Sequence, residues 1–142
     1  MDQGSSKPSG YSGTPLPDKL GIRPGHCVAL VGAPPGFRPL LGELPGTEVS
    51  DELKPGARLD VIVFFAPWRT ELEAELAHLR EHMAPACGLW IAWPKRAAKV
   101  PTDMSDTVVR EVALPTGLVD NKVCAIDATW SAVRLVIRKE LR

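Results

Sequence analysis

The residues that come nearest to chemistry lie in Val28-Ala-Leu-Val-Gly-Ala-Pro-Pro-Gly-Phe37. An apolar run ends in Gly32, and Gly36 follows one short turn later. Dinucleotide loops read G-x-G-x-x-G after a strand. Their middle glycine lets the backbone approach the ligand, and backbone N–H groups bind its phosphates. Here Pro34 stands at the middle position and Pro35 follows it. Neither has an N–H. The stretch therefore has the outline of a nucleotide- or S-adenosylmethionine-binding loop without two of its donors. It reads as a structural turn, or as a turn that holds something else.

A second group is aromatic and basic. Trp68, Trp93 and Trp130, with Arg69, Lys95 and Arg96, each fall just after or at the end of an apolar run. Aromatic faces beside cations suit stacking of a flat ring and capture of an anion. Together with Gly32, Pro34, Gly36 and Phe37 they form the candidate ligand- or partner-binding set. The plainer alternative is that the tryptophans seal the core edge and that Lys95, Arg96 and Lys99 are solvated.

The other constellations are weaker. His78-Leu-Arg-Glu-His82 fits the H-x-x-E-H pattern of inverted zinc proteases. Helical spacing, however, puts both histidines with Glu71 and Glu75 on a solvated face, and no downstream helix offers an obvious third-ligand glutamate. No metal is expected. His26 reads as structural, and Asp120 and Asp127 read as turn caps. Ser12, Thr129 and Ser131 lack a histidine base. Cys27, Cys87 and Cys124 are widely spaced, with no C-x-x-C pair. That argues against a disulfide scaffold or zinc knuckle, fits a reducing cytoplasm, and reads as small core residues, with one reactive thiol as the alternative.

These residues need elements to position them. Cys27–Val31, Val61–Ala66 and Leu89–Trp93 are continuous apolar runs, as expected of strands buried on both faces. Trp90 lies inside its strand and belongs to the core. Between the second and third runs, Leu72, Leu76, Leu79 and Met83 recur at helical spacing behind a Thr70/Glu73 capping box. A strand-helix-strand unit of this kind makes its strands parallel. Further helices are expected at 14–21, 37–44 and 103–114, and a short strand at 47–50. Strands at 122–127 and 132–138 are close enough to form an antiparallel hairpin. The last one alternates. Val133, Leu135 and Ile137 face inward, while Arg134, Val136 and Arg138 lie on a wetter face. Fold class: a three-layer, Rossmann-like α/β sandwich, mostly parallel, with an antiparallel C-terminal hairpin. In such sheets ligands bind beyond the carboxyl ends of the strands, which is where the candidate set falls.

The chain has 142 residues, which suits one domain, expected at 14–142 behind a Ser/Gly/Pro-rich flexible arm at 1–13. Lys+Arg and Asp+Glu are both 17, so no global charge draws it to nucleic acid or anionic membrane. No apolar run reaches the ~20 residues of a membrane helix.

The order of elements resembles the class I methyltransferase fold, most closely from Asp60 onward. The segment between Gly36 and Asp60 is too short for that fold's usual strand-helix units. Such enzymes carry an acidic residue two positions before the first glycine, where this chain has Leu30. Amino-methyltransferases of the fold carry Asp/Asn-Pro-Pro-Tyr/Phe, where this chain has Ala66-Pro-Trp-Arg69. Other motifs are Gly10-Tyr-Ser-Gly-Thr-Pro-Leu16, Lys19-Leu-Gly-Ile22, Trp93-Pro-Lys95, Val100-Pro-Thr-Asp103, Gly117–Asp127 and Thr129-Trp-Ser131. In these the chain resembles the bacterial family called domain of unknown function 3052. That resemblance implies a fold and a bacterial cytoplasmic setting, and no catalytic residues. The sequence reading favours a non-enzymatic module that uses the aromatic-basic edge to hold a protein partner or a small anionic ligand. S-adenosylmethionine is disfavoured as a cofactor, a divergent methyltransferase is the runner-up, and a nucleic-acid accessory protein is third.

Overall fold

The computed structural model describes Thr14–Arg142, and the arm expected at 1–13 lies outside the described residues. The strands are β1 (Cys27–Val31), β2 (Glu48–Ser50), β3 (Leu59–Phe65), β4 (Met83–Pro94), β5 (Leu118–Ala125) and β6 (Trp130–Ile137). They form one sheet in the order β2-β1-β3-β4-β6-β5. Neighbours from β2 to β4 are parallel, and β6 runs antiparallel to both β4 and β5. This is the mostly parallel sheet with a reversed final hairpin that the apolar runs imply.

Helices cover both faces: α1 (Leu16–Leu20), α2 (Phe37–Leu41), α3 (Arg69–Glu81) and α4 (Asp106–Ala113). Side chains alternate across a strand, so β3 and β4 feed two cores. On one face Ile62, Phe64, Leu89 and Ile91 pack with Leu72, Leu76 and Leu79 of α3 and Val109 of α4. On the other, Val61, Val63, Phe65 and Trp90 pack with Leu20 of α1 and Phe37 of α2. Each buried side chain of this size contributes about 1.5–3 kcal/mol. Trp90 also donates its Nε1–H to the Leu20 carbonyl at 3.0 Å, which ties α1 to the sheet.

Several boundaries differ from expectation. α3 has Trp68, not Thr70, at its N-cap, because the N–H groups of Trp68 and Arg69 are satisfied by a residue of its first turn and by a distant one. Asp103 Oδ1 accepts from Arg69 N at 2.7 Å, and Glu71 Oε1 accepts from Trp68 N at 3.3 Å. Met83, read as the last residue of the helical stripe, starts β4 opposite Leu59. α1 has Pro15, not Thr14, at its N-cap, and α4 is capped by Ser105 rather than beginning near Asp103. Val136, assigned to the wetter face, is buried.

Candidate functional site

Gly32 closes β1 with φ 73°, and a Cβ there would sit 3.2 Å from the Phe65 carbonyl oxygen. The turn needs glycine both for its left-handed backbone and for its approach to β3. Gly36 is different. Its φ is −85°, it caps α2, and a Cβ on it would meet nothing within 4 Å. Pro34 offers its carbonyl to Phe37 N–H at 3.0 Å, which turns the loop into the helix. The Phe37 ring is buried edge-to-face on Phe65 at 4.8 Å, and Phe65 packs in the same way on Trp130 at 5.0 Å.

The three edge tryptophans are not brought to one place. Trp130 packs with the α1/α2 core, and Trp93, only 7% exposed, belongs to the α3/α4 core on the opposite face. Trp68 stands at the N-cap of α3 and is 42% exposed. Arg69 is engaged by carboxylates: its Nε meets Glu73 at 2.9 Å and its Nη1 meets Glu111 at 2.8 Å. These two hydrogen bonds hold the guanidinium charged and direct it along the helices rather than into a ligand site. Lys95 docks its backbone N–H on Thr129 O at 2.7 Å, and Arg96 is exposed on a 3-10 turn. The best-defined clefts among the described residues lie beside β1 and β2, beside α2, and between α1 and β5. None is lined by Gly32, Trp68, Trp93 or Trp130.

One residue relevant to a nucleotide site escaped the sequence reading. Asp51 directly follows β2, about 20 residues beyond Gly32, where dinucleotide folds place the acid that takes the ribose hydroxyls. That spacing was the available signal. Asp51 is exposed and meets Arg38 of α2 at 3.3 Å, a surface pair that holds it only weakly.

The remaining candidates have structural roles. Asp127 caps the β5–β6 turn by accepting from Thr129 N and Trp130 N, each at 2.8 Å. Asp120 caps no turn. It accepts from Arg110 Nε at 2.8 Å, and that bond holds its carboxyl below the usual range. His82 does not share the solvated face of His78. It is 6% exposed, with its ring nitrogens on the carbonyls of His78 and Lys54. Among the described residues no group of three or more His, Cys, Asp or Glu is placed to hold a metal. Cys87 and Cys124 are buried. Cys27, expected in the core, is only half-buried and points its thiol at Glu48.

No family model matches the chain, so the resemblance to domain of unknown function 3052 gains no support there. No curated protein matches either. Solved structures do match. A SAM dependent methyltransferase from Aquifex aeolicus superposes with TM-score 0.58 at 16% identity, over 84% of this chain and 87% of that one. The chain has the class I S-adenosylmethionine-dependent methyltransferase fold. Aeropyrum pernix fibrillarin, solved with natively bound S-adenosyl-L-methionine, gives TM-score 0.58 at 12% identity over 89% and 70% of the two chains. The ribosomal protein L11 methylase of Lactobacillus delbrueckii subsp. bulgaricus gives 0.57 at 10% over 87% and 75%.

Proposed function

We propose that this chain is a divergent S-adenosylmethionine-dependent methyltransferase whose adenosyl ligand lies across the carboxyl ends of β1 and β2. The observation that carries the reading is the pairing of the Gly32 turn with Asp51 beyond the end of β2. These are the positions at which nucleotide-binding sheets of this type take the ligand's backbone contacts and its ribose. Likeness to methyltransferases over most of the chain supports this reading above the non-enzymatic module.

The residues fit the adenosyl group in part. Asp51 accepts the ribose hydroxyls once Arg38 swings aside. The open space beside Gly36 admits ligand atoms close to the backbone, and Phe37 on Phe65 gives the loop an apolar floor. Pro34 and Pro35 contribute no N–H, so anchoring shifts from the loop to Asp51. The bound group would supply a methyl to an acceptor. Calorimetric titration with S-adenosylmethionine and S-adenosylhomocysteine tests the proposal. Saturable binding is expected, weakened about tenfold by Asp51→Ala. Binding that Asp51→Ala leaves unchanged contradicts the assigned pose.

A module without catalytic chemistry is the second reading. It is favoured by the absent N–H donors at Pro34 and Pro35 and by the edge-to-face packing of Phe37, Phe65 and Trp130. A folded protein that takes up neither adenosyl compound supports it.

A further inference from the structure

On the opposite side of the sheet from α3 and α4, the structure gathers cations that the proposed site does not use. Lys122 of β5 and Arg134 of β6 are direct cross-strand partners. Residues directly opposite on an antiparallel pair share a face with Cβ atoms about 4.5–5.5 Å apart, and like charges there repel. Among the described residues no ion pair includes either of them. Arg134 is half-buried, and its guanidinium lies over Gly88 of β4 so closely that a Cβ there would meet Nε at 2.5 Å. Lys19 and Arg23, on and after α1, face the same cleft of about 210 Å³. A second cleft of about 370 Å³ shares Asp18, Lys19 and Lys122 with the first and continues along β5. Among the described residues Asp18 is the one carboxylate lining either cleft, and it meets Arg23 at 4.0 Å.

We propose that this groove between α1 and the β5–β6 hairpin is a binding site for an oligophosphate, with Lys122 and Arg134 as its main contacts. Among the described residues lining this groove, Lys122, Arg134 and Arg23 stand against the single carboxylate of Asp18. A multiply charged anion between Lys122 and Arg134 replaces their repulsion with two charge-assisted contacts, and the planar guanidinium on Gly88 offers paired N–H donors to phosphate oxygens. The site stands apart from the carboxyl edge and does not depend on the adenosyl reading.

The test is calorimetry on the full chain with inorganic tripolyphosphate, with ATP, and with sodium chloride at matched ionic strength. Saturable binding of tripolyphosphate is expected, weakened about tenfold or more by Lys122→Gln and by Arg134→Gln. Gly88→Ala leaves every charge in place but displaces the guanidinium, so it too should weaken binding. Equal affinity for ATP and tripolyphosphate assigns recognition to the phosphates alone, and tighter ATP binding adds a base contact. S-adenosylhomocysteine should not compete. In the ligand-free protein Lys122→Gln should raise the melting temperature, because it removes the opposed like charges. The proposal is overturned by absence of saturable tripolyphosphate binding, by binding that the three variants leave unchanged, or by displacement with S-adenosylhomocysteine.

Discussion

Replacing Gly32 and Gly36 separately by alanine distinguishes the two roles that a glycine loop can have. At Gly32 the backbone has φ 73°, and the new Cβ would lie 3.2 Å from the Phe65 carbonyl oxygen. The left-handed conformation costs an L-residue about 1–2 kcal/mol. The crowding adds to it, because the neighbour is backbone at the end of β3 and cannot rotate aside. At Gly36 φ is −85° and a Cβ meets nothing within 4 Å. There alanine fits without strain and reduces the freedom of the unfolded chain, which stabilises by about 0.4–1 kcal/mol. Urea unfolding followed by circular dichroism reads both. Gly32→Ala should lower the midpoint with an unchanged slope, and Gly36→Ala should leave it level or raise it. Adenosyl binding should respond the other way, falling with Gly36→Ala if ligand atoms lie against that backbone. A Gly36→Ala protein as destabilised as Gly32→Ala would refute this account of the loop.

Three further outcomes are expected. Trp90→Phe removes the Nε1–H that meets Leu20 O at 3.0 Å and opens a void, so urea titration should show a loss of about 2–3 kcal/mol. Burial pushes the Cys87 thiol up to about 12, so Ellman's reagent at mild alkaline pH should label half-buried Cys27 first and Cys87 only as the protein unfolds. The Asp120 carboxyl is held below its ordinary value by the Arg110 hydrogen bond, so its contribution is present at neutral pH and is lost as pH falls through the depressed folded-state value. Asp120→Asn should therefore lower the urea midpoint at pH 7, with a gap to wild type that closes on acidification below about pH 4.

The fold was legible where burial imposes a local pattern. β3 and the second half of β4 are covered on both faces, so they read as unbroken apolar runs, and the stripe of Leu72, Leu76 and Leu79 marked the buried side of α3. Boundaries set by distant partners were not legible. Asp103, 34 positions away, accepts from the Arg69 N–H at the start of α3, and the local Thr70/Glu73 pattern placed the N-cap two residues late. Met83–Gly88 has no strand periodicity and is extended because Leu59 and Val61 of β3 pair with it. The site was legible as an edge and not as a geometry. Strand ends predict which residues reach the carboxyl edge, but alternation across β4 and β6 sends Trp93 and Trp130 to opposite cores. The carboxylates that occupy Arg69 come from two helices, and only the folded arrangement brings Glu111 to it. Asp51 was readable from its spacing to Gly32. His82 was misread because Lys54, which faces its ring, lies in a loop 28 positions earlier.

The central claim is that an adenosyl ligand lies at the carboxyl ends of β1 and β2, and a crystal grown with S-adenosylhomocysteine tests it most directly. The account predicts ordered ligand beside Gly32 and Gly36, with its ribose hydroxyls on Asp51 and Arg38 turned away. Crystals that diffract well at saturating ligand and still show the Arg38–Asp51 pair intact, with nothing bound at that edge, would contradict it.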